Sequence, residues 1–520
     1  MRLIYFLIST IIVKFYSPVY PQNLTSDPVA RVGLKSISQE EFIKRYEFTP
    51  GLERQIKSRS ETAKLEFLYT LIAEKLWAQE AITLGLDTTE VIEFSKREYK
   101  KIFVRDALYK REILDKARIS EKELIEGIYR YHTKLKVNFL FTENESEINN
   151  LYSILVNGIE FDSILSIRPE AEEQIDPIEV VYGQMDEAIE DSLYKLNIDE
   201  YTHPILTPDG WYIFKLTNRI ETMIGSEKNL EDSKQEVERI IKARKSAILY
   251  SNFFQSFFSR KEVEVNPKLF NSLTEKISES LRLRDNKNFN NEKNEFSLNS
   301  DDVILIEEKF GADSLKMIFL NFESNPITLK QFIRILIFDG FISKEYDKKI
   351  VSVFLDKKIR TIIEHELLAR EGFKRGYQSL PEVLAEVNMW VDNYLFQVLK
   401  NKFIDSVYVT EKEVHSLYRS ITDKQEESSA NRPTESKMNE LKRKFIFQKA
   451  NSKMNSFTVN LAIKYGVGID FDLLDAIEVT NLSSFAIRGL GFGGRLSAVP
   501  MLAPNVEWVQ PWLDRINVIQ

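Results

Sequence analysis

Apolar residues recur at helical spacing from Phe42 to about Tyr131, as in the run Phe67, Leu68, Leu71, Ile72 and Leu76. Two S-x-x-E patterns mark helix starts: Ser38 with Glu41, ahead of a helix opening at Phe42, and Ser120 with Glu123, ahead of a helix over 121–131. Gly85 supplies a stop between helices, and Val29 to Gly33 reads as a short strand ending in a glycine turn. At Lys134 the period changes. A strand is predicted over 135–141, a helix over 145–156 ending at Gly158, and a short helix from Phe161. A strand at Val180, a helix over 185–196 and a closing strand over 210–216 follow. This β-α-α-β-α-β order describes a small α+β module. Helical periodicity resumes over 229–259, and an Asn-rich polar stretch over 284–300 reads as a linker.

The second half repeats the first. Ile37-Ser38 and Phe42 are matched by Ile327-Thr328 and Phe332, and Ala78-Gln79-Glu80 with Gly85 by Ala369-Arg370-Glu371 with Gly376. Ile119 to Glu123 is matched by Val409 to Glu413 at nearly the same spacing, and Tyr129 falls near Tyr418. Glu262 to Asn266 with Leu269 resembles Gly466 to Asp470 with Leu473, but at a spacing shorter by about the length of the α+β module. The second copy has a polar loop over 420–437 where the first has the module. Three collinear matches point to an internal duplication.

Charge sharpens this division. The 520 residues carry a net charge of −8. Residues 134–219 hold 6 Lys or Arg against 17 Asp or Glu, a net of −11, so the remaining residues sum to +3. An acidic chain neutralises phosphates poorly, so nucleic acid is not an expected partner. There is no cysteine, which excludes disulfides, Cys-ligated metals and a lipidated-Cys anchor. The four histidines, His132, His203, His365 and His415, are too far apart in sequence to form a helical metal pair. No metal and no cofactor is expected. Met1-Arg2 followed by the apolar run Leu3 to Val13 has the length of a secretory signal, and Lys14 makes it too short for a fixed span. The expectation is an exported, soluble protein without a membrane span after signal cleavage. Gly489 to Gly494 has the look of a phosphate loop but lacks a following Lys-Ser/Thr, and is read as a turn in an apolar tail that includes Trp508 and Trp512.

The ordered series in the module is similar to a parvulin-type (rotamase, PpiC-like) peptidyl-prolyl isomerase domain. It comprises the strand Lys134 to Phe141, then Leu151, Leu155, Gly158 and Phe161, then Gly183-Gln184-Met185 with Glu190, Asp191, Tyr194 and Leu196, and last Gly210-Trp211-Tyr212-Ile213-Phe214-Lys215-Leu216. The flanking helices, opening with Val29 to Gly33 and Ile37 to Phe42, resemble the SurA-type and PrsA-type extracytoplasmic chaperones, in which a helical lobe is built from both sides of an inserted parvulin domain. The absence of a lipidated Cys favours the soluble SurA-type arrangement. The resemblance implies a mainly α fold with one α+β insert, a duplicated SurA-N-like helical lobe carrying the parvulin-like domain in its first copy. The expected organisation is a signal over 1–22, an N-terminal lobe over 23–133, the parvulin-like insert over 134–219 and a helical return segment of lobe one over 220–280. A polar linker over 281–300, a second lobe without insert over 301–480 and an apolar tail over 481–520 complete it.

The family uses two facing histidines and an apolar proline pocket. By the resemblance, the histidine positions are taken here by Asn138 and Tyr212, so no catalytic residue is assigned. The family's Cys or Asp belongs in the loop over 166–178, where Asp176 is available without being assigned. Met185, Ile189, Tyr194 and Trp211 are the expected substrate-binding residues, in a groove for a proline or aromatic side chain. The residues alone leave Met185 and Ile189 open between pocket and core, and strand alternation places Trp211 and Tyr212 on opposite faces. The resemblance implies a periplasmic chaperone for unfolded polypeptides, outer-membrane protein precursors among them, with the outer-membrane assembly machinery as a further partner. Two other readings stay open: a working prolyl isomerase, and a structural subunit of an envelope assembly.

Overall fold

The computed structural model describes residues 28–50, 57–168, 176–222, 226–285, 295–414, 416, 435–480 and 485–519. The signal expected over 1–22 and the polar loop over 420–437 lie outside or largely outside these residues. The chain is mostly helical with small antiparallel sheets. It divides into two compact units, one formed by the chain up to Leu108 and from Glu262 onward, the other by Tyr109 to Lys261.

The first unit opens with β1 (Ala30–Val32), β2 (Lys35–Ile37) and α1 (Gln39–Glu47). The Ser38 hydroxyl accepts from the Glu41 N–H at 3.1 Å, so the helix starts three residues before Phe42, which is buried on its inner side. The long helices α2 (Lys57–Thr83) and α3 (Glu90–Tyr109) follow. The second unit contributes α4 (Glu121–Tyr131), β3 (Thr133–Thr142), α5 (Glu145–Val156), α6 (Phe161–Leu165), β4 (Ile178–Val180), α7 (Glu187–Tyr194), β5 (Ile205–Thr207), β6 (Gly210–Glu221) and α8 (Glu227–Phe258). Ser120 and Glu123 form a full capping box at the start of α4.

The first unit then resumes with β7 (Glu264–Val265), α9 (Pro267–Asp285), β8 (Phe296–Ser297), α10 (Ser300–Lys316), β9 (Ile318–Asn321), β10 (Ile327–Thr328), α11 (Leu329–Phe338), β11 (Ile342–Ser343), α12 (Lys348–Lys374) and α13 (Pro381–Asp405). It ends with α14 (Glu435–Tyr465), β12 (Val467–Ile469), α15 (Phe471–Ala476), β13 (Ile487–Gly489), β14 (Arg495–Ser497) and α16 (Val509–Ile519). The hairpin and helix β1-β2-α1 recur as β9-β10-α11, and the stops at Gly85 and Gly376 both take left-handed φ, 70° and 79°. Thr410 and Glu413 reproduce the reciprocal cap of Ser120 and Glu123.

Neither repeat closes on itself. The strand β12, from the second repeat, pairs antiparallel with β1 of the first, Val32 opposite Val467; β7, from the first repeat, pairs with β9 of the second, Val265 opposite Leu320. Each three-stranded sheet therefore contains a strand from the other repeat. The packing follows the strands. One core combines residues 29–92 with Leu395, Phe396, Met454, Leu461, Leu474, Trp508 and Trp512. At its centre Trp77 meets the rings of Phe396, Phe403 and Phe457 at 5.0–5.9 Å, and its indole N–H donates to the Thr458 hydroxyl at 2.9 Å.

The second core joins Leu269, Leu273, Ile277 and Leu281 of α9 to Phe319, Phe332, Leu336, Phe341, Val351 and Leu355. The return segment expected over 220–280 is thereby corrected. Its helix α8 belongs to the unit that holds the α+β module, and α9, whose apolar stripe fits the surface of the second repeat, builds the second core. The segment after 481 is likewise more than a tail, since Trp508 and Trp512 are buried in the first core.

Candidate functional site

The second unit is a four-stranded antiparallel sheet in the order β4-β3-β6-β5. Strand alternation assigns its two faces. Leu140 and Ile213 point to α5 and α6, where Ile148, Leu151, Phe161 and Leu165 complete one core. Leu135, Val137, Phe214 and Leu216 point to the side of α7, with Val180 and Leu193. Phe139, Met185, Ile189, Tyr194, Ile205 and Tyr212, all half-buried, pack on this second core.

The site that results is a sheet face of aromatic rings edged by a thioether and an isoleucine. Tyr212 stacks on Phe214 at 5.4 Å with the rings 6° from parallel, and meets Phe139 at 5.5 Å and Phe141 at 4.8 Å. Burial raises the Tyr212 hydroxyl pKa above its ordinary value, and Asp209 adds to it. Tyr212 is therefore a neutral hydrogen-bonding group at physiological pH.

Asn138 is not on this face. It lies opposite Lys215, one residue out of phase with Phe139, and its Oδ1 is buried with no hydrogen bond among the described residues. The residue of the opening strand opposite Tyr212 is Phe141, and Phe139 lies next along on the same face. The expected facing of Asn138 and Tyr212 is thus corrected: Asn138 lies three residues before Phe141, the partner of Tyr212, and an odd offset puts it on the opposite face. Trp211 also leaves the expected groove, for the same reason; it packs with Tyr152 and Tyr201 on the opposite core.

Tyr194 lies at the foot of the site with its hydroxyl committed. It donates to the carbonyls of Arg130 and Thr133 at 3.1 and 2.9 Å, and the Arg130 guanidinium sits over its ring at 5.2 Å. Asp176 is exposed. Of the four expected binding residues, Met185 and Ile189 share a face with Tyr212; Tyr194 anchors that face, and Trp211 does not belong to it.

Met185 precedes α7 rather than lying within it, so the turn that holds it needs its own anchor. That anchor is Glu190, whose fully buried carboxylate accepts from the N–H groups of Gly183 at 2.8 Å and Met185 at 3.0 Å. Arg244 of α8 closes the arrangement, donating to Glu190 Oε2 at 2.6 Å and to the Met185 carbonyl at 3.1 Å. Burial works to lower the Arg244 pKa, but the Glu190 carboxylate outweighs it and the net shift is upward. Gly183 takes φ 90°, and a Cβ there would come within 2.7 Å of Ile240. Sequence reasoning placed Glu190 in the module's motif without a role, and missed Arg244 and Phe139. Glu190 was one acid among 17 in the module, and nothing in periodicity marks a carboxylate that folds back onto a turn.

The glycine-rich stretch Gly489 to Gly494 has a structural position. It turns β13 into β14, and the Gly493 carbonyl accepts from Arg105 at 3.1 Å. No group of three His, Asp or Glu residues suited to a metal ion occurs among the described residues. No described helix is long and apolar enough to cross a membrane.

No family model matches the chain. A foldase protein PrsA from Exiguobacterium sibiricum is 24% identical over 182 residues, which are 34% of this chain and 59% of that protein. The match therefore spans less than two thirds of the curated relative. Among solved structures, PrsA from Bacillus anthracis is 17% identical and covers 36% of this chain and 97% of its own, with a TM-score of 0.21. A SurA-like chaperone from Campylobacter jejuni is 16% identical and covers 46% and 100%, with a TM-score of 0.19. Over 34% of its length the chain is similar in sequence to a PrsA-type foldase.

Proposed function

We propose that this protein is an exported chaperone that holds unfolded polypeptides, with the parvulin-like module serving as a prolyl- or aromatic-binding arm rather than as a working isomerase. The observation that carries this reading is the ring-to-ring packing of Tyr212 with Phe141, its cross-strand partner, at 4.8 Å. A prolyl isomerase needs two facing polar groups there; the position opposite Tyr212 is the Phe141 ring, and Asn138 lies on the other face. Rotation about an X-Pro amide has a barrier of about 20 kcal/mol, and lowering it requires polar groups aimed at that amide. A face of Phe139, Phe141, Tyr212, Met185 and Ile189 can bind a proline ring or an aromatic side chain by burial, and the soft thioether adapts to either. The sequence match to a PrsA foldase supports the same class of client. The apolar run Leu3 to Val13 supports export, with the periplasm as the compartment and outer-membrane precursors as the clients in this proposal.

The test pairs two assays on the full chain. A proline-containing tetrapeptide should isomerise at the uncatalysed rate, and aggregation of an unfolded client should be slowed. Turnover well above background, abolished by Met185→Ala, would replace this reading with an active isomerase. Failure to slow aggregation, together with co-purification of fixed partners, would favour a structural subunit instead.

A further inference from the structure

The geometry points to a second polypeptide-binding site in the first unit, a groove between α14 and α16 that takes an extended segment by its main-chain amides. This deepens the chaperone reading above and rests on it. The groove has a volume of about 450 Å³, within the range of sites that hold small ligands and short peptide stretches.

Its wall is an unusual helix face. Gln448, Asn451, Ser452, Asn455 and Ser456 line it at the spacing i, i+3, i+4, i+7, i+8. These positions share one side of the helix, with Asn451 and Asn455 half-buried at the floor and Gln448, Ser452 and Ser456 exposed along the rim. The opposite wall gives these polar groups few partners. Asn451 and Asn455 both donate to one oxygen, Glu507 Oε2, at 3.2 and 2.7 Å. Arg515, also on the groove, donates to Asn460 at 2.8 Å. The Oδ1 of Asn455 is buried and accepts no hydrogen bond from any described residue.

A buried acceptor with no donor among the described residues can take the N–H of a ligand. A primary amide carries both donor and acceptor, as a peptide group does, so an Asn can pair with the N–H and C=O of a passing backbone without reading its sequence. Phe447, 71% exposed, stands at the groove with Pro511 and offers an apolar contact for one side chain. A main-chain ladder with one apolar contact is the chemistry of low-specificity binding to unfolded chains.

The absence of cysteine makes the test direct, because Gln448→Cys gives the full chain a single attachment point for an environment-sensitive fluorophore. The probe is reduced, carboxymethylated α-lactalbumin, a permanently unfolded chain. A saturable emission shift is expected, with affinity weakened at least tenfold by Asn451→Leu plus Asn455→Leu and unchanged by Lys453→Ala on the same helix. If the double leucine variant lowers the melting temperature, Phe447→Ala at the exposed lip takes its place and should weaken binding at least threefold. No shift, while the same chain still slows client aggregation, overturns the groove and leaves the holding role standing. No shift and no suppression overturn both. A shift produced by oligosaccharides and not by the unfolded chain overturns the peptide site in favour of a saccharide site.

Discussion

Ala30 on the opening strand is the antiparallel partner of Ile469, which lies near the far end of the chain. The same exchange links Glu264 to Asn321 in the second sheet. Both strands are short, so their pairing alone is weak, but each carries a packed helix with it. The segment after β12 adds Leu474, Trp508 and Trp512 to the first core, and α9 adds Leu269 to Leu281 to the second. Two repeats that exchange closing elements in one chain have the topology of a swapped dimer whose protomers are fused.

Cutting the chain once in the Asn-rich stretch after Asp285 should therefore leave the halves associated. A protease site inserted there and cleaved in the native protein is expected to give two bands on a denaturing gel, and one species of full mass by size exclusion with light scattering. The half after the cut should lack a cooperative urea transition when expressed alone, and co-expression should restore it. Separation of the nicked halves into two folded monomers would refute the exchange.

A buried ion pair makes the same core sensitive to single substitutions. The Arg45 guanidinium pairs with the Glu74 carboxylate in the interior, and both residues are fully buried. Glu74 also accepts from Asn393 at 2.7 Å, and Arg45 donates to the Pro500 carbonyl at 3.3 Å, so one pair ties α1 and α2 to α13 and the C-terminal segment. Removing Glu74 leaves the buried Arg45 only its longer ion pair with Glu41 at 3.6 Å, at a cost of up to about 3–5 kcal/mol. Glu74→Leu should lower the urea stability by that order. Arg45→Met combined with Glu74→Leu should recover most of it, because no lone charge remains.

Periodicity and capping made the elements legible from the sequence alone. The capping boxes, the stop at Gly85 and the matched stop at Gly376 all lie where the pattern put them. The partners of those elements were not legible. The likeness of Glu262–Asn266 to Gly466–Asp470 shows that two strands are equivalent, and equivalent strands fit either opening strand equally well, so sequence cannot say that they are exchanged. At the site, the faces of Trp211 and Tyr212 follow from alternation, but the register of β3 against β6 does not. In the observed register Tyr212 is opposite Phe141 and Asn138 opposite Lys215, so facing Asn138 with Tyr212 misses by three residues, an odd number that also changes the face.

The Met185 turn depends on Glu190, and this dependence is measurable apart from any ligand. Two backbone N–H groups and Arg244 converge on one carboxylate. Glu190→Gln keeps the shape but removes the charge, and charge-assisted bonds are about twice as strong as neutral ones. Amide exchange at Gly183 and Met185 should accelerate at least tenfold, with the sheet amides of β3 and β6 unaffected. Gly183→Ala should disturb the same turn by another route, through its positive φ and the close approach of Ile240. Unchanged exchange in both variants would show that the turn holds without this anchor.

His365 on α12 gives the first unit a defined acid response. It lies under the Gly493 turn, whose carbonyl is held by Arg105, and a Cβ at Gly493 would come within 3.4 Å of the imidazole Nε2. Burial lowers the His365 pKa most, the Arg105 charge adds to that, and Lys358 acts the same way; Asp339 and a hydrogen bond with the Phe492 backbone oppose them. The result is a fall from 6.5 to about 4. As pH falls, the unfolded chain binds the proton near 6.5 and the folded chain only near 4, so stability is undiminished above that window and is lost across it. The slope is about 1.4 kcal/mol per pH unit for one proton. Urea midpoints measured at pH 7.5, 6 and 5 should fall more steeply for the wild-type chain than for His365→Gln, which cannot titrate. The difference should vanish above pH 7.5 and widen toward pH 5. Parallel curves for the two proteins would show that His365 is protonated as readily in the folded chain as in the unfolded one.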